Sequence, residues 1–103
     1  MSVLMQFAMF PTDKGISVSK HVSRIIEMIK KSGVKYKLGS MGTAIETETF
    51  DEALAILKKS HEILESDSER IYASINLDIK KGKEFRMEKK IESIEKKIGD
   101  VNQ

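Results

Sequence analysis

The chain of 103 residues contains no cysteine. That absence removes disulfides, thiol catalysis and cysteine-ligated zinc from consideration. No apolar run approaches the roughly 20 residues that a membrane-spanning helix needs. Charge of one sign is also lacking: 18 Lys and Arg against 16 Asp and Glu give a formal net charge of +2, so nothing pulls the chain strongly toward nucleic acid or an anionic membrane. The opening MSVLMQFAMF has no basic stretch and no small-residue cleavage site, and Gln6 interrupts it, so it does not read as a signal peptide. A cytoplasmic protein is the expectation. Only two histidines are present, and two imidazoles without thiolates make a poor dedicated metal site. No nucleophile–base–acid set stands out, and no internal repeat or low-complexity segment is visible.

What remains is an ordinary globular composition, 40% hydrophobic and 33% charged. One domain over residues 1–103 is expected. A chain of this size buries roughly two-thirds of its unfolded surface, which makes a thin core that association with further copies would help.

Hydrophobic periodicity divides the chain. Residues 3–10, VLMQFAMF, are too short and apolar for a surface helix and stop at Pro11, so they read as a buried strand. Residues 17–33 read as a helix. Val18, Val22, Ile25, Ile26 and Ile29 share one face, Ser17 or Ser19 can cap the start, Lys30 and Lys31 suit the negative end, and Gly33 suits the left-handed position after it. In VKYKL, Lys35 and Lys37 alternate with Val34, Tyr36 and Leu38, the pattern of a protected edge strand. Residues 39–42, GSMG, turn the chain, with Gly39 and Gly42 expected to supply positive φ. TAIETET returns as a strand with Thr43, Ile45 and Thr47 opposite Ala44, Glu46 and Glu48. Thr49 and Glu52 form a capping-box pair ahead of a helix carrying Ala53, Leu54, Leu57, His61 and Leu64 on one side. RIYASINLDI is the clearest strand, with Ile71, Ala73, Ile75, Leu77 and Ile79 on one face and Arg70, Tyr72, Ser74, Asn76 and Asp78 on the other. Residues 85–99 read as a third helix with a narrow stripe of Met87, Ile91, Ile94 and Ile98. Its lysines alternate with glutamates and no aromatic platform interleaves, so it is not expected to bind nucleic acid.

The order β-α-β-β-α-β plus a C-terminal helix predicts an α+β, ferredoxin-like sandwich. Right-handed crossovers put the first two helices on one face of a four-stranded antiparallel sheet and leave the other face open. If Ile45 faces the helices, Glu46 faces the open side with Tyr72 and Ser74, and a buried carboxylate there needs partners. Arg70 can pair with Glu46, with Asp78 or with a ligand, a surface ion pair being the default.

The segments GISVSKHV, SGVKYKLGSMGTAIE, KKSHEIL and ERIYASINLDIK resemble, in order and spacing, those of the small thiamine-binding protein family, over nearly the whole chain. Met41-Gly42-Thr43 with Glu46, followed by His61-Glu62, is the most specific part. One departure is Thr47, where the family often has glycine. The resemblance implies a homotetramer built from dimers, and binding of thiamine or its hydroxymethylpyrimidine half near a subunit interface, without known catalysis and without a cofactor. An aminopyrimidine offers ring-nitrogen acceptors and an amino donor. Glu46 can accept from the amino group, and Thr43 can donate or accept. Tyr36 and Tyr72 can stack on a heteroaromatic ring or simply pack. Ser17 and Ser19 can meet an anion at a helix start or merely cap it. His61 reads as a half-buried residue or a ligand contact. The expected protein is thus a non-catalytic binder of thiamine or a related pyrimidine, a homodimer or homotetramer. The alternative is a structural or regulatory homo-oligomeric module that takes another metabolite or none.

Overall fold

The computed structural model of the chain describes residues 1–15, 18–82 and 86–102. Seven elements follow one another: β1 (Ser2–Pro11), α1 (Ser19–Ser32), β2 (Lys35–Leu38), β3 (Thr43–Thr47), α2 (Phe50–Glu65), β4 (Ile71–Lys80) and α3 (Arg86–Ile98). The four strands form one sheet in the order β2-β3-β1-β4. Every neighbouring pair is antiparallel. This is the α+β ferredoxin-like arrangement that the element order predicts.

β1 is the axis of the fold. It pairs with β3 on one side, Met5 opposite Ile45, and with β4 on the other, Met5 opposite Leu77. Successive strand residues point to opposite faces. Val3, Met5, Phe7 and Met9 therefore all turn toward one layer, where they pack with Ile25 and Ile29 of α1 and Ala53, Ile56 and Leu64 of α2. α1 and α2 thus cover the same face. The even-numbered residues, with Ala44 and Glu46 of β3, turn to the other.

Local chemistry explains the helix ends. α1 ends at Gly33, whose φ of 80° is the left-handed conformation that glycine adopts without a Cβ clash, and Lys30 and Lys31 lie in its last turn. At the start of α2, the Thr49 hydroxyl accepts the Glu52 N–H at 3.1 Å and donates to the Glu52 carboxylate at 2.9 Å. The start of α1 differs from expectation. Val18 occupies the capping position and makes no side-chain cap bond, while Ser19 is the first helical residue. Ser17 lies outside the described residues.

Three further expectations change. The buried side of α2 is Ala53, Ile56, Ser60 and Leu64, so the helix is rotated away from the predicted stripe. Leu54 is 38% exposed, and His61 is exposed rather than half-buried. Ser60 takes a core position because its hydroxyl donates to the Ile56 carbonyl one turn back, at 2.8 Å. Second, positive φ occurs at Gly15, Gly33, Gly82 and Gly99, not at Gly39 or Gly42. These two glycines are needed for space. A Cβ on Gly42 would stand 3.0 Å from the Phe7 carbonyl oxygen, and one on Gly39 would stand 3.1 Å from the Gly42 carbonyl oxygen. The hairpin they close is held by Gly39 N–H donating to Gly42 O at 2.8 Å. Third, the apolar face of β4 is only partly covered: Ile75, Leu77 and Ile79 remain 40%, 41% and 48% exposed.

α3 begins against the face opposite the other helices and leaves the sheet as it proceeds. Met87 and Ile91 are half-buried, Ile94 is 50% exposed and Ile98 73%.

Gly42→Ala is expected to lower stability by about 1–3 kcal/mol, because the new methyl meets backbone that cannot rotate away. Urea unfolding measures this. An unchanged midpoint would show that the hairpin shifts freely from Phe7.

Candidate functional site

The alternation of β3 sends its two candidate polar residues to opposite faces. Thr43 lies on the helix side with Ile45, and Glu46 lies on the other. Each belongs to a different concavity.

Thr43 stands in a cleft of about 340 Å³ at one end of the helix layer, within the range typical of small-molecule sites. Phe7 and Met9 of β1 form its floor, Val22, Ile25 and Ile26 of α1 one wall, and the hairpin residues Leu38 and Met41 the other. Leu38 and Met41 are 63% and 87% exposed, so they rim the mouth rather than fill it. No titratable side chain lines the cleft among the described residues. Thr43 is 5% exposed, yet its hydroxyl makes no hydrogen bond to another described residue. No buried side-chain oxygen among the described residues lacks a partner, so this hydroxyl is open to the cleft and retains donor and acceptor capacity for whatever enters.

Glu46 is 8% exposed and already occupied. Its Oε2 accepts the Ser2 hydroxyl at 2.6 Å and the Arg86 backbone N–H at 2.7 Å. Its Oε1 accepts the Met87 N–H at 3.1 Å. The carboxylate thus satisfies the first two amide groups of α3, which have no acceptor inside the helix, and places negative charge at the helix's positive end. Arg86, 7% exposed, completes the network. Its Nε donates to the Ser2 hydroxyl at 3.1 Å and its Nη2 to the Ser2 carbonyl at 2.8 Å. Its Nη1 pairs with the Asp78 carboxylate at 3.0 Å. Burial acts to raise the Glu46 pKa, but the Ser2 hydroxyl, the two amide groups and the nearby Lys35 charge outweigh it and hold the carboxyl below its ordinary value. A second groove of about 260 Å³ runs past Glu46 between Ser2, the end of α1 and Lys35. It also carries Glu48 and Glu52.

The other candidates are dispersed. Tyr36 pairs with Ile45 and packs on the core, two residues along β2 from the cleft. Tyr72 is on the opposite face, 56% exposed, with its ring 5.6 Å from that of Phe10. It pairs with Phe10 while Glu46 pairs with Leu4, six residues and roughly 20 Å along the sheet. His61 lies on the outer side of α2, its Nδ1 4.0 Å from the Glu65 carboxylate. Ser19 is exposed at the start of α1, one residue after the cleft residue Val18. Arg70 is exposed, and the arginine that meets Asp78 beside Glu46 is Arg86. Its signal in the sequence was weak: an arginine at the start of a charged amphipathic helix looks like any solvated residue. Among the described residues no cluster of His, Cys, Asp and Glu could hold a metal ion, and no helix is long and apolar enough to cross a membrane.

Fold and cleft together define a small ferredoxin-like protein with a concave, uncharged site. The chain belongs to the family described as thiamine-binding protein, whose sequence profile matches residues 5–95. It is 36% identical over 92 residues to the UPF0045 protein MJ1052 of Methanocaldococcus jannaschii, covering 89% of this chain and 91% of that one. The crystal structure of that hypothetical protein superposes with a TM-score of 0.81 at 35% identity, over 90% of this chain and 95% of the other. A candidate thiamine biosynthesis/salvage protein from Thermotoga maritima superposes with a TM-score of 0.78 at 26% identity, over 91% and 99% of the two chains.

Because the Glu46 pKa is depressed on folding, its contribution to stability is complete above its ordinary value of 4.5 and is lost as pH falls through the lower folded value. Glu46→Ala leaves the Arg86 and Met87 amide groups and the Ser2 hydroxyl without their acceptor. It is expected to cost about 2–4 kcal/mol at neutral pH. Urea unfolding at several pH values should show the gap between wild type and variant closing below about pH 4.5. A gap that stays constant would separate Glu46 from this network.

Proposed function

We propose that the chain is a non-catalytic binding protein for thiamine or its hydroxymethylpyrimidine half, and that the heteroaromatic ring enters the cleft beside Thr43. The observation that carries this reading is the Thr43 hydroxyl, without a hydrogen-bond partner among the described residues, in a largely apolar cleft. The family description and the thiamine biosynthesis/salvage assignment offered for the Thermotoga maritima neighbour support the choice of ligand. The ring would lie among Phe7, Met9 and Met41, where aromatic and thioether contacts are favourable, and the Thr43 hydroxyl would meet a ring nitrogen or the amino group. Among the described residues the cleft has no titratable side chain to serve as general acid or base, which favours binding over turnover. Glu46, on the opposite face and spent on α3, acts in this reading through the fold rather than on the ring.

The protein is proposed to work in the cytoplasm as one domain, assembled as a homodimer or homotetramer. Exposed apolar residues on β4 and α3 support assembly, since water contact with such stripes is costly. The same observation favours the second reading, a structural or regulatory homo-oligomer whose cleft takes another metabolite or none.

Isothermal titration with thiamine, hydroxymethylpyrimidine and thiamine phosphate separates the two. Saturable binding is expected, and Thr43→Val, which keeps the shape and removes the hydroxyl, is expected to weaken it by about 3–10-fold with little change in stability. An oligomer that gives no heat with any of the three would remove the pyrimidine assignment and leave the second reading.

A further inference from the structure

The cleft beside Thr43 runs on to the start of α1. Its lining includes Val18 and Val22 of that helix and Phe10 of β1. Thr43 stands opposite Phe7 in the sheet, and Phe10 lies three residues further along β1, roughly 10 Å at the rise of an extended strand. At the Phe7 end sits the nearly buried Thr43, whose hydroxyl has no partner among the described residues. At the other end stands a helix N-terminus.

That terminus is electropositive. The first N–H groups of a helix have no acceptor inside it, and the aligned peptide dipoles add partial positive charge. At α1 the capping position is Val18, which makes no side-chain cap bond, and the first turn contains no acid. Ser19 and Lys20, the first two helical residues, are exposed. The helix start alone would attract any small anion. The Thr43 hydroxyl adds a second polar anchor across an apolar floor, so the two together select a molecule with a polar ring atom at one end and an anion at the other.

We propose that the cleft takes the phosphate monoester of a hydroxymethylpyrimidine in preference to the free alcohol. The ring lies beside Thr43, and the phosphate accepts the backbone N–H groups of Ser19 and Lys20. This rests on the ring-binding reading above and names the form of the ligand. An aminopyrimidine with a phosphomethyl arm is comparable in length to the span from Phe7 to Phe10. The phosphate stays at the solvent-exposed helix start, so it escapes the cost of entering an apolar lining, while charge-assisted bonds from the amide groups replace part of its hydration.

Isothermal titration with hydroxymethylpyrimidine, its phosphate monoester and inorganic phosphate tests this. The ester is expected to bind about tenfold more tightly than the alcohol, and inorganic phosphate to give no saturable heat at millimolar concentration. Ser19→Asp sets a carboxylate in the first turn, where it suits the helix and repels phosphate. It is expected to bring the two affinities to within about twofold of each other. Thr43→Val is expected to weaken ester and alcohol alike and keep their ratio. Equal affinities for the two in wild type, or a preference that survives Ser19→Asp, would overturn the phosphate subsite and leave ring binding standing. Inorganic phosphate that binds as tightly as the ester would overturn it as well, leaving a plain anion site. No binding of either pyrimidine would overturn both readings.

Discussion

Everything in this molecule is sorted by the two-residue alternation of β1. The strand is central, hydrogen-bonded on both sides, so its register fixes the facing of β3 and β4 as well. Val3, Met5, Phe7 and Met9 commit one face to the helices. A slip of one residue would exchange the faces of every strand in the sheet. The same parity assigns the polar residues of β3 their separate tasks. Thr43 falls on the helix side, at the end where α1 and the β2–β3 hairpin diverge. Glu46, three residues on, falls on the other face and meets α3.

The two faces also differ in how polar groups are satisfied. On the α3 side, Glu46, Ser2 and Arg86 form a closed set in which each buried donor has an acceptor. Such a network fixes geometry and leaves little capacity for a ligand. On the helix side, the Thr43 hydroxyl has that capacity and apolar neighbours around it. A neutral ring with one or two polar atoms fits this chemistry better than a charged group, which would lie in the cleft without a counter-charge from the lining residues.

Much of this was legible in the sequence, for definite reasons. Alternation in residues 3–10 and 70–79, the 3.6-residue spacing of residues 18–29, and the Thr49–Glu52 pair are local signals, and local signals gave the element order and the fold. The facing of Glu46 followed from the same alternation. Its partner did not, because Arg86 lies 40 residues away and no periodicity relates a strand to a helix that docks on it. Arg70, nearer to a candidate carboxylate in the pattern, sits at the wrong end of β4. The buried side of α2 was misplaced because Ser60 reads as polar, although its hydroxyl is satisfied within the helix. Gly39 and Gly42 marked the hairpin correctly but for another reason, since the approach of Phe7 to Gly42 joins segments far apart in sequence.

The central claim is that a heteroaromatic ligand enters the cleft on the helix side of the sheet. The chain's six methionines report on this directly, because Met9 and Met41 line the cleft whereas Met87 sits against Glu46. Methyl NMR of protein labelled at the methionine methyl carbons, titrated with hydroxymethylpyrimidine, should shift Met9 and Met41 and leave Met87 in place. Shifts confined to Met87 and Met1, on the Glu46 side, would contradict the account.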